Sequence, residues 1–406
     1  MNPATTLVTM IGRDRPGVTT RLFGALADSD LAVLDVEQVV IRGQLVLGVL
    51  LNSGRAAEIG DRLAPVAADL GMLLEVTEGD AETEREAEAA FGRSHVTVLG
   101  HPLTPAAMAG IAGRIAGLGG NIDRIVRLAA YPVTAIQLEV SGADPDAVRL
   151  SLAAEAAHRS IDVAVERSGL HRRAKRLVVM DVDSTLVQGE VIELLAAEAG
   201  CLDEVRGVTD QAMRGELDFE DSLRARVALL TGLEEEAVVR VREAVALAPG
   251  ARTLVRTLKR LGYQFAIVSG GFTQVTDRLV AELGIDYSAA NTLEVVDGRL
   301  TGGLVGPLVD RAGKADALER FAAQAGVPIA STIAIGDGAN DLDMLARAGL
   351  GVAFNAKPVV REAADAAVNV PYLDAILYLL GISREEVEAA DAETGLETPA
   401  PPVGDP

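Results

Sequence analysis

Short apolar runs alternate with stretches of helical spacing along the whole of this 406-residue chain. Leu7–Ile11 reads as a strand, Thr19–Ala27 carries apolar residues at helical spacing, and Leu31–Val40 is β-rich again. A strand at Leu45–Leu51, a helix at Arg55–Leu70 and a strand at Met72–Val76 complete β-α-β-β-α-β, the order of a ferredoxin-like α+β unit. The pattern then repeats. Val8-Thr9-Met10-Ile11-Gly12 matches Val96-Thr97-Val98-Leu99-Gly100, and at the same offset Asp35 falls on Asp123. The second copy runs on through Ile136–Val140, a helix near Pro145–His158 and Ile161–Glu166. Between the copies Glu75–Glu88 is dense in Glu and Asp, which predicts a solvated linker or a frayed helix. The expected divisions are residues 1–78, an acidic linker over 79–93, and 94–168.

From Arg176 the pattern changes. Leu177–Met180, Tyr263–Val268 and Thr332–Ile335 are apolar runs ending on Asp181, Ser269 and Gly336-Asp337, with helical segments between them. Buried strands with polar residues at their carboxyl ends predict an α/β doubly wound parallel sheet with its site at the strand tips. Residues 174–384 form this region. Within it about 190–246 is too long for one crossover and is helical in pattern, so it reads as an inserted helical cap. Asp297-Gly298 inside Thr292–Leu304 predicts a hairpin. The tail 385–406 is acidic and Pro-rich, with little to bury, and is expected to be disordered.

Composition narrows the function. Hydrophobic residues at 49% supply real cores. Asp and Glu (59) outnumber Lys and Arg (37), leaving a net charge of -22 that repels phosphate backbones and anionic headgroups. No nucleic acid and no membrane partner is expected, since no apolar run nears the roughly 18 residues of a span. The opening residues lack a basic segment followed by an apolar one, so no signal peptide and a cytoplasmic location are expected. One cysteine, Cys201, excludes an intrachain disulfide framework and fits a reducing compartment. All four histidines (His95, His101, His158, His171) precede the α/β region, so a Ser-His-Asp triad within it is excluded. Carboxylates remain.

Asp181-Val182-Asp183-Ser184-Thr185 directly follows a buried strand, and residues two apart in an extended segment face one side. A carboxylate is ionised at neutral pH and needs no base to attack, unlike Ser184 or Thr185. Gly336-Asp337-Gly338-Ala339-Asn340-Asp341 follows another such strand, and a helix from Gly338 would set Asp337 and Asp341 one turn apart. Four carboxylates at two tips call for a hard divalent ion with oxygen ligands, and Mg²⁺ suits them. Ser269-Gly270-Gly271 offers a hydroxyl and two amides as a nest for an anion, and Lys314 a cation. Together these describe phosphoryl transfer to an aspartate.

These segments resemble the signature motifs of the haloacid dehalogenase (HAD) superfamily over roughly Arg176–Ile382: D-x-D-x-[TS] at Asp181–Thr185, the Ser269 tip, Lys314, and G-D-x-x-[ND] within Gly336–Asp341. Glu190 and the segment from Ala212 to Val227 are similar to the branch that hydrolyses O-phospho-L-serine. The resemblance implies that Asp181 is the nucleophile and Asp183 the acid and base. It implies a Mg²⁺ ion held by Asp181, the Asp183 carbonyl, Asp337 and, through water, Asp341. Ser269, Gly270 and Lys314 would hold the phosphoryl oxygens, with Asn340 beside the substrate. Glu190 would meet the substrate ammonium and Arg226 its carboxylate, while Met213 and Phe219 close the cap. A zwitterionic substrate wants such an anion and planar cation a few ångströms apart. Two other readings stay open: a phosphatase for another small phosphomonoester or a phosphoprotein, and an amino-acid sensor with a non-catalytic HAD region.

The two N-terminal copies resemble ACT domains, small modules that bind amino acids. Asp14-Arg15-Pro16-Gly17-Val18 matches the ACT loop, Gly17 allowing close backbone approach, whereas His101-Pro102-Leu103-Thr104-Pro105 departs from it. The resemblance implies a homodimer assembled through this region, with L-serine as an effector at Asp14 and Gly17 that inhibits the last step of serine biosynthesis.

Overall fold

The computed structural model describes residues 4–27, 30–80, 92–169, 172, 174–214 and 216–399. It falls into two compact units, Met1–Ala90 and Phe91–Pro406.

In the first unit, strands β1 (Ala4–Arg13), β2 (Val33–Ile41), β3 (Gln44–Leu51) and β4 (Leu73–Asp80) form an antiparallel sheet in the order β2-β3-β1-β4. Helices α1 (Val18–Leu26) and α2 (Ala56–Leu70) cover one face, burying Val8, Met10, Leu47, Leu22 and Leu63. The other face is open, with Leu7, Ile11, Val39, Ile41, Val46 and Leu73 exposed. The acidic stretch begins as strand, not as linker. Glu75 pairs with Thr9 on the outward, solvated face, while Glu78 pairs with Thr6 on the helix side and its Oε1 accepts the Ala56 amide at the start of α2 (3.3 Å). Of the expected linker, residues 81–91 lie outside the described ones.

The second unit carries one sheet of eleven strands. The second copy contributes β5 (Ser94–Gly100), β6 (Asn121–Ala129), β7 (Thr134–Ser141) and β8 (Asp162–Arg167), with α3 (Pro105–Gly117) and α4 (Pro145–Arg159). The α/β region adds β9 (Leu177–Met180), β10 (Gln264–Phe272), β11 (Tyr287–Val296), β12 (Arg299–Val305), β13 (Thr332–Gly336), β14 (Gly351–Phe354) and β15 (Ala366–Val368). The order is β12-β11-β10-β9-β13-β14-β15-β8-β5-β7-β6. Strands β11, β10, β9, β13, β14 and β15 run parallel, and β12 returns antiparallel on the Asp297-Gly298 turn. Strand β9 is buried throughout and lies between β10 and β13, where a central parallel strand has no solvated face.

The cap holds α5 (Val191–Ala199), α6 (Leu202–Met213), α7 (Phe219–Ala228) and α8 (Glu235–Ala244). It leaves and rejoins the sheet at one point, where Val187 bridges Leu247. The remaining helices are α9 (Ala251–Arg260), α10 (Thr273–Leu283), α11 (Arg311–Ala325), α12 (Leu342–Arg347), α13 (Pro358–Ala363), α14 (Ile376–Leu379) and α15 (Arg384–Glu393).

Two sequence expectations change here. The second copy is welded to the α/β region: Leu99, Leu128, Val133 and Ala164 share one core with Leu377, Tyr378 and Val387. The tail is also ordered further than its composition suggested. A capping box of Ser383 and Glu386 starts α15, and buried Asp391 is held by Arg256 and Arg260. Polar composition cannot show that a carboxylate has cations waiting across the fold. Residues 400–406 lie outside the described ones.

Candidate active site

Three strand ends build the site. Asp181 follows β9, and its amide donates to the Ile335 carbonyl (2.9 Å), tying the tips of β9 and β13. The chain then turns sharply instead of running on extended. Ser184 takes φ 57°, in the left-handed region, and its amide donates to the Gly189 carbonyl (3.1 Å). Asp181 and Asp183 still line one cleft, through this turn and not through strand alternation. Asp183 is pinned at both oxygens: Oδ1 accepts the Val191 amide (2.8 Å) and Oδ2 the Ser269 hydroxyl (3.1 Å).

The β13 tip leads into a short 3-10 turn over Ala339–Asp341 and then α12, rather than a helix from Gly338. Asp341 folds back, its Oδ2 accepting the Gly338 amide (2.9 Å). Gly336 is required there, because a Cβ on it would lie 2.4 Å from Asp341 Cγ. Lys314 enters from α11 and is 1% exposed, so it is no surface lysine. Its Nζ lies 2.7 Å from both Asp181 Oδ1 and Asp341 Oδ1.

The anion nest expected at Ser269-Gly270-Gly271 takes another form. These residues belong to β10, neither glycine has positive φ, and the Gly271 amide donates to Ser269 Oγ (2.7 Å). Gly271 serves clearance: a Cβ on it would lie 2.9 Å from Asp183 Oδ2, whereas one on Gly270 would meet the Phe219 ring at an ordinary 3.4 Å.

Charge in this cleft is out of balance. Desolvation, then the nearby Asp341 charge, pushes the Asp181 carboxyl well up, against the pull of Lys314. Burial raises Asp183 as well. Burial and the Asp341 charge push Asp337 up to about 6, while burial and the Asp183 charge push Glu190 up to about 7. Burial would lower the Lys314 ammonium, but Asp181 and Asp341 more than reverse this and hold it above an ordinary lysine. One ammonium does not neutralise the group.

A hard cation fits. Asp181, Asp337 and Asp341 each offer a carboxylate oxygen, all within 4.8 Å of one another, with no His or Cys in the group among the described residues. Asp181 Oδ1 is sealed from water and meets Lys314 Nζ at 2.7 Å, a single cation shared with Asp341.

The cap closes a cleft of about 520 Å³ over these groups, with Glu190, Phe219, Arg226 and Asn340 on its walls. Glu190 stands at the start of α5, and its Oε1 accepts the Ser184 hydroxyl (3.1 Å). Arg226 projects from α7 and makes no ion pair among the described residues, while burial lowers its pKa. Met213 ends α6, and its side chain lies outside the described ones.

Three further residues join the site. Thr185 is buried and donates to Asp337 Oδ1 (3.1 Å), linking the two acidic motifs, and Ser184 orients Glu190. Both sit inside the quoted D-x-D-x-[TS] segment, where spacing to Asp181 was the available signal. Lys357, just before α13, also lines the cleft, and nothing in its local sequence marks it. In the first unit Asp14 donates its amide to the Gly43 carbonyl (2.8 Å). Gly17 has φ 95° with nothing near a Cβ, so glycine is needed there for its backbone angle and not for close approach.

Comparison with known proteins adds to this geometry. Residues 178–346 match the haloacid dehalogenase-like hydrolase family, and residues 4–77 and 93–166 each match an ACT domain. The chain is 62% identical over 390 residues to a phosphoserine phosphatase of Streptomyces coelicolor, covering 95% of this chain and 94% of the relative. It is 51% identical over 393 residues to a phosphoserine phosphatase of Mycobacterium tuberculosis, covering 95% of each. Among solved structures, a probable phosphoserine phosphatase from Vibrio cholerae superposes with TM-score 0.57 at 37% identity, covering 72% of this chain and 88% of that one.

Proposed function

The chain belongs to the phosphoserine phosphatases, haloacid dehalogenase-like hydrolases here joined to two ACT domains, and from that premise we propose how its residues divide the work. The reaction is hydrolysis of O-phospho-L-serine to L-serine and phosphate. Asp181 attacks phosphorus and becomes an aspartyl-phosphate. Asp183 gives its proton to the departing serine oxygen and then takes one from the water that hydrolyses the aspartyl ester. The observation that carries this division is the pinning of Asp183 at both oxygens by Val191 and Ser269, beside Asp181 on the wall of the same cleft. A raised Asp183 pKa supports the proton-donor role.

The metal reading is finer than the acidic group alone. Asp181, Asp337 and Asp341 would hold Mg²⁺, with the Asp183 carbonyl as a further ligand. When bound, the ion supplies positive charge against the phosphoryl oxygens. Lys314 and Ser269 hold those oxygens from the protein side, together with the Gly270 backbone. Glu190 takes the substrate ammonium and Arg226 its carboxylate, with Asn340 beside them and Phe219 and Met213 closing above. Each of these roles suits a separated anion and cation that flank a desolvating cleft.

We further place the enzyme in the cytoplasm as a homodimer, inhibited by L-serine at the first ACT domain near Asp14 and Gly17. The lone Cys201 supports a reducing compartment, and no described helix is long and apolar enough to cross a membrane. The exposed edge strand β2 and the open apolar face beside it support assembly. Phosphate release from O-phospho-L-serine, with Mg²⁺ or with EDTA and titrated with L-serine, tests the reading. Release that needs the ion and falls with L-serine is expected. Equal release from phosphothreonine or a phosphopeptide would sink the substrate assignment.

A further inference from the structure

The second unit has another cavity, at the seam between its ACT copy and the α/β sheet. There β8 meets β15 through a single registered pair, Ala164 with Ala366. Two clamps flank the joint. Arg149 Nη1 lies 3.2 Å from Asp365 Oδ1, and the buried Asp162 carboxylate accepts both the Asn369 amide and its side-chain Nδ2 at 2.6 Å. Between them lies a space of about 600 Å³.

The walls of this space are apolar, with Ile161, Val163, Val165 and Val370 beside several alanines. Ala153 and Ala157 of α4 face Ala364, Ala366 and Ala367, and larger side chains at these positions would close it. Its acids are mostly engaged: Asp162 and Asp365 in the clamps, Asp365 Oδ2 also with the Gly351 amide (2.9 Å). Arg361 of α13 and His101 line the same space from exposed positions; the Arg361 side chain makes no hydrogen bond among the described residues, though its charge acts on Asp162. Glu362, next to Arg361, also lines it. A guanidinium with its N–H donors open to the space, beside an apolar floor, suits an anion that carries an apolar body.

We propose that the seam cavity is a second ligand site, which takes a small carboxylate with an apolar body. The carboxylate meets Arg361, and the body rests on the alanine walls. Glu362 provides for an ammonium beside that carboxylate, so the ligand is either a simple carboxylic acid or an amino acid. The wall that binds it begins at Lys357 in the cleft, and the six residues of α13 span about 9 Å.

Calorimetric titration of the full chain in Mg²⁺ buffer tests this with three probes: 4-methylpentanoate, L-leucine and 3-methylbutylamine. At least one of the two carboxylates is expected to bind saturably, and the amine is not. Tighter binding of L-leucine identifies an amino-acid ligand using Glu362, and tighter binding of 4-methylpentanoate a simple carboxylate. Arg361→Gln is expected to weaken binding about tenfold. Ala157→Trp, which fills the space, is expected to abolish it, with both variants melting within about 2 °C of the parent protein. No saturable binding of either carboxylate up to about 10 mM would overturn the proposal. So would equal binding of the amine, or binding that both variants leave unchanged.

Discussion

Two of the places where the second unit buries carboxylates have opposite surroundings. Asp391 in α15 meets Arg256 Nε at 2.9 Å, Arg260, and Thr398 Oγ1 at 2.8 Å. These contacts hold its carboxyl down to about 2, although burial works against them. In the cleft, Asp181, Asp337 and Asp341 share one ammonium, and Asp181 and Asp337 are pushed up. A buried acid with two guanidiniums is a finished structural joint. Buried acids in excess of their cations are a site that still requires a partner.

Substitution should separate the two most sharply. Asp181→Asn is expected to lower kcat by about 10³-fold or more, since the attacking oxygen is gone. Its melting temperature should hold or rise, because one uncompensated charge is removed. A variant that unfolds instead would make Asp181 a structural acid like Asp391.

Asp391→Ala should do the reverse. Two partly exposed guanidiniums would lose their buried partner, at a cost of about 1–3 kcal/mol in urea unfolding. The kcat/KM of the folded fraction should stay within about twofold of the parent, as Asp391 touches no cleft residue. A silent Asp391→Ala would remove the contrast.

Divalent metal should act on the cleft alone. At a hundredfold excess over its Kd, Mg²⁺ is expected to stabilise the protein by about 2.7 kcal/mol. The same gain should be seen in Asp391→Ala, because distant sites add. EDTA should abolish both the gain and the activity.

Glu190→Gln tests how the cleft reads its substrate. It should raise KM for O-phospho-L-serine about tenfold while leaving an aryl phosphate unaffected. Equal losses on both substrates would assign Glu190 to the fold.

The smallest expected effect is a difference of sign with pH. Asp337 and Glu190 titrate at about 6 and about 7, above their ordinary 3.8 and 4.5. Their folded forms therefore hold protons that the unfolded chain has released. This destabilisation is absent below about pH 4, grows as pH rises, and is complete above about pH 7. Asp391 contributes the opposite: stability that is full above about pH 4 and is lost as pH falls through about 2. Melting curves in EDTA from pH 4 to 8 should fall on the alkaline side, and Glu190→Gln should flatten that fall.

Much of this was legible along the chain. The strand tips bearing Asp181, Ser269 and Asp337 lie where apolar runs stop on polar residues, since a buried parallel strand must end at solvent or at a site. The repeat was legible too, but not its two fates. Ile11 and Leu99 hold equivalent positions, yet Ile11 is 40% exposed and Leu99 1%. Only the second sheet face has Tyr378 and Val387 packed on it, and no local pattern records a neighbour more than 250 residues away. Asp391 and Lys357 were missed for the same reason. Arg256 and Arg260 lie more than 130 residues from Asp391, the other residues around Lys357 in the cleft come from distant segments, and single residues carry no periodicity. At Gly270-Gly271 the composition pointed to an anion nest, but close approach by Asp183 is what favours glycine at Gly271.

Rapid-quench turnover of ³²P-labelled O-phospho-L-serine by the Asp183→Asn variant, followed by peptide mapping of the acid-quenched protein, addresses the nucleophile itself. The account predicts one acyl-phosphate per chain, carried on Asp181. Label on any other residue, or full turnover with no protein-bound phosphate at any time, would contradict it.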